Sequence, residues 1–208
     1  AGALLAREGH RVCVLEANRD QLGGHARTLR LGDLEVSAGP QYVWNFGPGQ
    51  IGQEILRRIG IADRVPFDTL DVEGFEDFVV DRDHLVVPMG LDRFRDRTIE
   101  RFPLERDSLR LFFSRIHDFF AAVRFIHDEG LYLSGKWPVL LRLALTSGVP
   151  CAAKWHSLRF AGSSLADLFD ACRLSQDVRR FLYAHGGIFA ENESDVSAIA
   201  FAAGTGYY

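Results

Sequence analysis

The sequence predicts an α/β fold: a partial βαβ unit over residues 1–75, followed by a mainly helical region over residues 76–208. Three observations carry this expectation. A helical segment at the start runs directly into the apolar stretch Arg11-Val12-Cys13-Val14-Leu15-Glu16. Short β-type stretches follow, separated by turn residues. Beyond Pro103 the apolar residues change to spacings of three and four, the mark of helices with one buried face. With 208 residues, 47% hydrophobic and 25% charged, the chain has enough apolar mass for a sizeable core.

In chain order, Ala3-Leu4-Leu5-Ala6-Arg7-Glu8-Gly9 reads as the second half of a helix stopped by glycine. Residues 11–16 then read as a buried parallel strand closed by the acid Glu16, with Cys13 inside it. Gly2 is expected where this helix packs closely on the strand. Gly23-Gly24 predicts a loop, and the alternating Leu29, Leu31, Leu34 and Val36 around Gly32-Asp33 predict a hairpin. Ile51, Ile55, Leu56 and Ile59 give the segment 49–59 a helical stripe. Phe78-Val79-Val80 and Leu85-Val86-Val87, divided by Asp81-Arg82-Asp83, read as two short strands. The stripe Leu109, Phe112, Phe113, Ile116, Phe119, Phe120, Val123 and Ile126 predicts one long helix from about Glu105 to His127. Shorter helices are expected at 138–145, 163–171 and 175–185, and the last residues, 202–208, read as a glycine and aromatic stretch without a helix. The chain reads as interrupted at both ends, with a strand and a glycine-rich loop expected ahead of Ala1.

Composition excludes several function classes. A net charge of −4, from 28 acidic and 24 basic residues, provides no general basic field for nucleic acid. The seven histidines show no spacing that places two ligands on one helical face, so no metal site is expected. Cys13, Cys151 and Cys172 form no C-x-x-C pair, which fits a reducing, cytoplasmic compartment. No apolar stretch approaches the roughly 20 residues needed to cross a bilayer. No Ser-His-Asp order or Cys-His pair offers a nucleophile, and no catalytic side chain is assigned.

The chemistry concentrates near the N-terminus. In a dinucleotide-binding βαβ unit, an acid ending the second strand accepts hydrogen bonds from ribose hydroxyls, and the glycine fingerprint lies about 20 residues before it. Glu16 occupies the acid's place. Glu16-Ala17-Asn18, followed by Leu22-Gly23-Gly24-His25-Ala26-Arg27-Thr28, resembles the second strand and glycine-rich loop of the FAD-dependent oxidoreductases that include amine oxidases, protoporphyrinogen oxidase and phytoene desaturases. Ser37-Ala38-Gly39-Pro40-Gln41-Tyr42-Val43 resembles the segment that passes the flavin in that superfamily. Val87-Pro88, Phe102-Pro103, the Phe-rich helix and the stretch from Glu193 to Tyr208 are similar to its phytoene desaturase and retinol saturase branch.

The resemblance implies a Rossmann-like FAD-binding domain in residues 1–75 and an incomplete substrate-side region in 76–208. It implies that Glu16 meets the adenosine ribose, that Ala17 beside it belongs to the cofactor-binding residues, and that Gly23 and Gly24 let the backbone approach the pyrophosphate. Arg27 contacts the cofactor, with His25 standing where the family's arginine follows the glycines, and Gly39, Pro40 and Gln41 lie along the flavin. The implied substrate is apolar and isoprenoid-like, with desaturation, saturation and isomerisation left open. An amine-oxidase-like flavoenzyme and a non-catalytic piece unable to hold FAD alone are the alternatives. Phe112, Phe113, Phe119, Phe120 and Phe125 suit either a tunnel for such a substrate or a packed core, and helical periodicity favours the core. Phe125 and Trp137 fit the stripe less well and suit a partner or a membrane surface, where peripheral contact is expected.

Overall fold

The computed structural model describes residues 1–39, 42–44, 46–128, 145, 159–160, 162–186 and 192–205. The chain divides after Thr69 into two compact units, 1–69 and 70–208. Mixed α and β elements, with small sheets and about half the described residues helical, make it an α/β protein.

In the first unit, α1 (Gly2–Arg7) ends before Gly9, whose φ of 87° permits the chain reversal expected there. The segment 11–16 runs beside it, since a Cβ on Gly2 would stand 3.3 Å from Val12 Cγ1. The close approach at Gly2 holds, although Gly2 opens the helix. The strand does not. A strand needs a neighbour for its N–H and C=O groups, and among the described residues none pairs with 11–16. Val14 and Leu15 are 73% and 92% exposed and Cys13 is exposed, so the buried parallel strand is corrected to an open, unpaired segment.

The hairpin forms as expected: β1 (Thr28–Leu31) and β2 (Leu34–Ser37) pair antiparallel, with Leu29 opposite Val36 and Leu31 opposite Leu34. Its two-residue turn starts at Gly32, whose φ is 65°. The helix α2 (Ile51–Ile59) is closed by Gly60 at φ 75°, with Ile61 N–H reaching back to the Leu56 carbonyl. Arg7 Nη1 donates to the Ile59 carbonyl at 3.2 Å and ties α1 to that end. Gly52 is the only buried residue among those described in this unit.

The second unit has a true core. The strands β3 (Glu76–Val80) and β4 (Asp83–Val87) form an antiparallel hairpin, turned at Asp81 with φ 58°. Phe78, Leu85 and Val87 point inward while Val79 and Val86 face out, the two-residue alternation of a sheet with one covered face. Residues 91–101, absent from the sequence-based reading, form α3 (Leu91–Arg101). The long helix is α4 (Arg106–Asp128), and Leu109, Phe112, Phe113, Ile116 and Phe119 are all buried along it. These phenylalanines belong to the core rather than to a tunnel; Phe120 is half-buried, and the side chain of Phe125 lies outside the described residues.

Two expected helices follow as α5 (Leu165–Ala171) and α6 (Gln176–Gly186). The Ser164 hydroxyl caps α5 by accepting from Asp167 N–H, while the Asp167 carboxylate accepts from Ser164 N–H. The chain then forms α7 (Ala198–Thr205), which overturns the expectation that the final stretch carries no helix. Ala198, Phe201, Ala202, Gly204 and Thr205 are buried, so α7 has no polar stripe to announce it. Phe112 joins α4 to α5 and α7, its ring centroid 5.6 Å from Phe169 and 6.3 Å from Phe201. The expected helix at 138–145 and Trp137 lie outside the described residues, apart from Leu145, which is helical.

Candidate functional site

The site is built almost entirely from backbone. Glu16 Oε1 accepts a hydrogen bond from Asn18 N–H at 2.9 Å, and Asn18 Oδ1 in turn accepts from Asp20 N–H at 3.0 Å. Such short-range turns suit residues lacking a ladder partner. The Asn18 N–H holds the Glu16 carboxyl below the usual carboxylate range, with further N–H groups of Gly23 and Ala17 and the Arg27 charge acting in the same direction against some desolvation. Glu16 is therefore ionised, exposed and oriented, although it does not end a buried strand.

Gly23 and Gly24 have φ of 118° and 55°, a succession that side chains other than glycine rarely adopt. They lead into a single 3₁₀ turn, Gly24–Ala26, with Ala26 N–H donating to the Gly23 carbonyl at 2.9 Å. Nothing lies within 4 Å of where a Cβ on Gly24 would stand, so that face of the turn is open to a ligand. Arg27 continues into β1, and its carbonyl accepts from Ala38 N–H at 3.0 Å. The hairpin thereby returns Gly39 to the turn it left: a Cβ on Gly39 would stand 2.7 Å from the His25 carbonyl oxygen.

The structure thus gathers six of the eight residues singled out from sequence, Glu16, Ala17, Gly23, Gly24, Arg27 and Gly39, around one turn. Pro40 and Gln41 lie outside the described residues. Sequence reasoning missed two participants, Asn18 as the main donor to Glu16 and the His25 carbonyl as the surface against which Gly39 packs. An Asn two residues after an acid is a turn signal that reveals the first. No local signal reveals the second. Chemically, the arrangement offers a fixed carboxylate for hydroxyl groups and an open glycine turn that a phosphate group can approach closely. These features suit a dinucleotide: the carboxylate is preoriented, and the space at Gly24 is one a side chain would fill.

Comparison with known proteins bears on the same stretch. Residues 1–59 match the family model of the NAD(P)-binding Rossmann-like domain. The match takes in every residue of the site and indicates a dinucleotide cofactor, consistent with an oxidoreductase. The chain matches no curated protein, and no solved structure. Among the described residues, no group of three His, Cys, Asp or Glu side chains is placed to hold a metal ion, and no helix is long and apolar enough to cross a membrane.

Proposed function

We propose that this chain is the dinucleotide-binding portion, with part of the substrate side, of an FAD-dependent oxidoreductase acting on an apolar, isoprenoid-like substrate. The observation that carries the reading is Glu16, ionised and tethered by backbone N–H groups beside the open Gly23-Gly24 turn, within the residues that match a Rossmann-like domain. In this reading Glu16 accepts the ribose hydroxyls of the adenosine half, Ala17 lies against that ribose, and the glycines admit the pyrophosphate. Arg27 neutralises phosphate charge, and Gly39, Pro40 and Gln41 pass the flavin. When bound, the flavin supplies the hydride chemistry. The protein's part is to bind, orient and keep water out. The unit 70–208 serves as the substrate side, and the apolar substrate is collected at a membrane surface.

A carboxylate acceptor favours a free ribose hydroxyl and repels a 2′-phosphate, so FAD and NAD are favoured over NADP. Titration of the chain with FAD, NADH and NADPH, followed by flavin and dihydronicotinamide fluorescence, tests this. FAD is expected to bind, and Glu16→Ala to weaken it roughly tenfold to a hundredfold, the range for losing a charge-assisted hydrogen bond. Equal binding of NADPH, or no effect of Glu16→Ala, refutes the assignment. A second reading, that this chain by itself is non-catalytic and holds FAD poorly, is favoured by the burial of Gly52 alone among the described residues of the first unit. Absence of flavin absorbance in the purified chain supports that reading.

A further inference from the structure

We infer that Gly39 is a positioning residue for the dinucleotide site, a backbone seat that holds the Gly23–Ala26 turn, and through it Glu16, in binding geometry. The functional meaning of this role rests on the dinucleotide reading above; the geometric role does not. The resemblance places Gly39 along the flavin, and in the structure the atoms nearest to a Cβ built at 39 belong to His25. A Cβ at 39 would stand 2.7 Å from the His25 carbonyl oxygen, a distance that real Cβ atoms essentially never show, and in ordinary contact with its carbon at 3.5 Å. The obstructing atom is backbone, so it cannot swing aside as the end of a side chain does. Any side chain at 39 must push the turn away or pull β2 off.

The connection to Glu16 is short. The His25 carbonyl belongs to the turn opened by Gly23, and the Gly23 N–H is one of the groups that stabilise the Glu16 carboxylate. On the other side, the bond from Ala38 N–H to the Arg27 carbonyl fixes the height at which Gly39 meets the turn. Arg27, the charged group that acts on Glu16, leaves the same turn. Displacing the turn therefore shifts the Gly23 N–H and the Arg27 charge relative to the carboxylate, while the bond from Asn18 N–H to Glu16 is left in place.

The test is the carboxyl titration of Glu16 in the full chain, followed by carbon NMR with glutamate labelling and assigned by the signal lost in Glu16→Gln. In the parent chain Glu16 titrates below free glutamate side chains, which lie near about 4.3. Gly39→Ala is expected to move that midpoint up toward the free value. Gly32→Ala, which strains the far end of the same hairpin at φ 65° with nothing within 4 Å, is expected to leave it in place. Where Gly39→Ala loses the hairpin, Ala38→Pro, which removes the N–H that bonds Arg27, probes the same seat and is expected to raise the midpoint as well. An unmoved Glu16 in a folded Gly39→Ala chain, an unmoved Glu16 in Ala38→Pro, or an equal shift in Gly32→Ala overturns the proposal. FAD titration is the second readout. Gly39→Ala is expected to weaken FAD at least tenfold and to shift the acid limb of its binding profile to higher pH, whereas Gly32→Ala does neither. A parent chain that binds neither FAD nor NAD replaces the first functional reading by the second, and the carboxyl titration still decides the seat.

Discussion

Replacing Phe112 by alanine removes the side chain on which the second unit turns. Phe112 is fully buried, and its ring meets Phe113 at 5.4 Å, Phe169 at 5.6 Å and Phe201 at 6.3 Å between centroids, linking α4 to α5 and α7. Returning a buried phenylalanine to water accounts for about 2 to 3 kcal/mol. The cavity adds to this, because its walls are rings anchored on three different helices and collapse incompletely. The total should fall near the top of the usual range for such truncations, about 4 to 5 kcal/mol. Against the roughly 5 to 15 kcal/mol that stabilise an ordinary domain, this leaves the unit marginal or unfolded. The neighbouring Leu111, 40% exposed on the same helix, provides the internal control: Leu111→Ala should cost under about 1 kcal/mol. Urea denaturation read by circular dichroism at 222 nm separates the two, with a lower midpoint and an unchanged slope expected for Phe112→Ala. A loss below about 1 kcal/mol, or one no larger than that of Leu111→Ala, refutes the described packing of α4.

Glu105 Oε2 accepts from Ser175 N–H at 2.9 Å and places a negative charge at the start of α6 from 70 residues away. Glu105→Ala should destabilise the second unit by about 1 kcal/mol, and Glu105→Gln by less, measured by the same urea titration. Backbone and hydroxyl bonds from Ser164 hold the Asp167 carboxyl below its usual value. A folded value below the unfolded one adds stability that is present above the unfolded value and lost as pH falls through the folded one. Asp167→Asn should therefore flatten the acid side of the stability profile below about pH 4, and an unchanged profile counts against the capping box. Burial pushes the Cys172 thiol up to about 11, with Arg115 opposing slightly. The stability this gives is complete below the unfolded value near 9 and is lost as pH rises through 11. Cys172→Ala should remove part of the alkaline unfolding between those values; in the native chain iodoacetamide should label Cys13 far faster than Cys172, and comparable labelling refutes the burial.

Much of the second unit was legible because its elements announce themselves locally. The α4 stripe from Leu109 to Ile126 repeats apolar residues over almost five turns, and Phe78, Leu85 and Val87 keep the alternation of a half-covered hairpin. What escaped reading was tertiary. The helix α3 carries only Leu91, Phe94 and Ile99 among its charges, and its buried face is completed by Thr98, a polar residue that hides its hydroxyl on the Phe94 carbonyl at 2.7 Å. In α7 the reverse holds: it is apolar on every side, so no period distinguishes it from a loop of small residues. Its helix forms because α4 and α5 surround it.

The first unit shows where apolar character alone misleads. Val12, Val14 and Leu15 have the composition of a buried strand, but burial belongs to a residue together with its neighbours, and among the described residues no strand lies alongside. The site residues were identifiable for a different reason. Glu16, Gly23 and Gly24 are held by contacts within a few residues, namely Glu16 to Asn18, Gly23 to Ala26 and Gly24 to Arg27, and these depend on turn chemistry rather than on a core. Sequence could therefore name the turn while misjudging the strand before it. What it could not supply is the one long-range element, the hairpin that carries Gly39 back onto His25. That contact is a matter of excluded volume between two backbones, and a missing Cβ leaves no mark in sequence beyond the letter for glycine. Local turns closed by one such contact leave open space at Gly24 and none for a methyl group at Gly39.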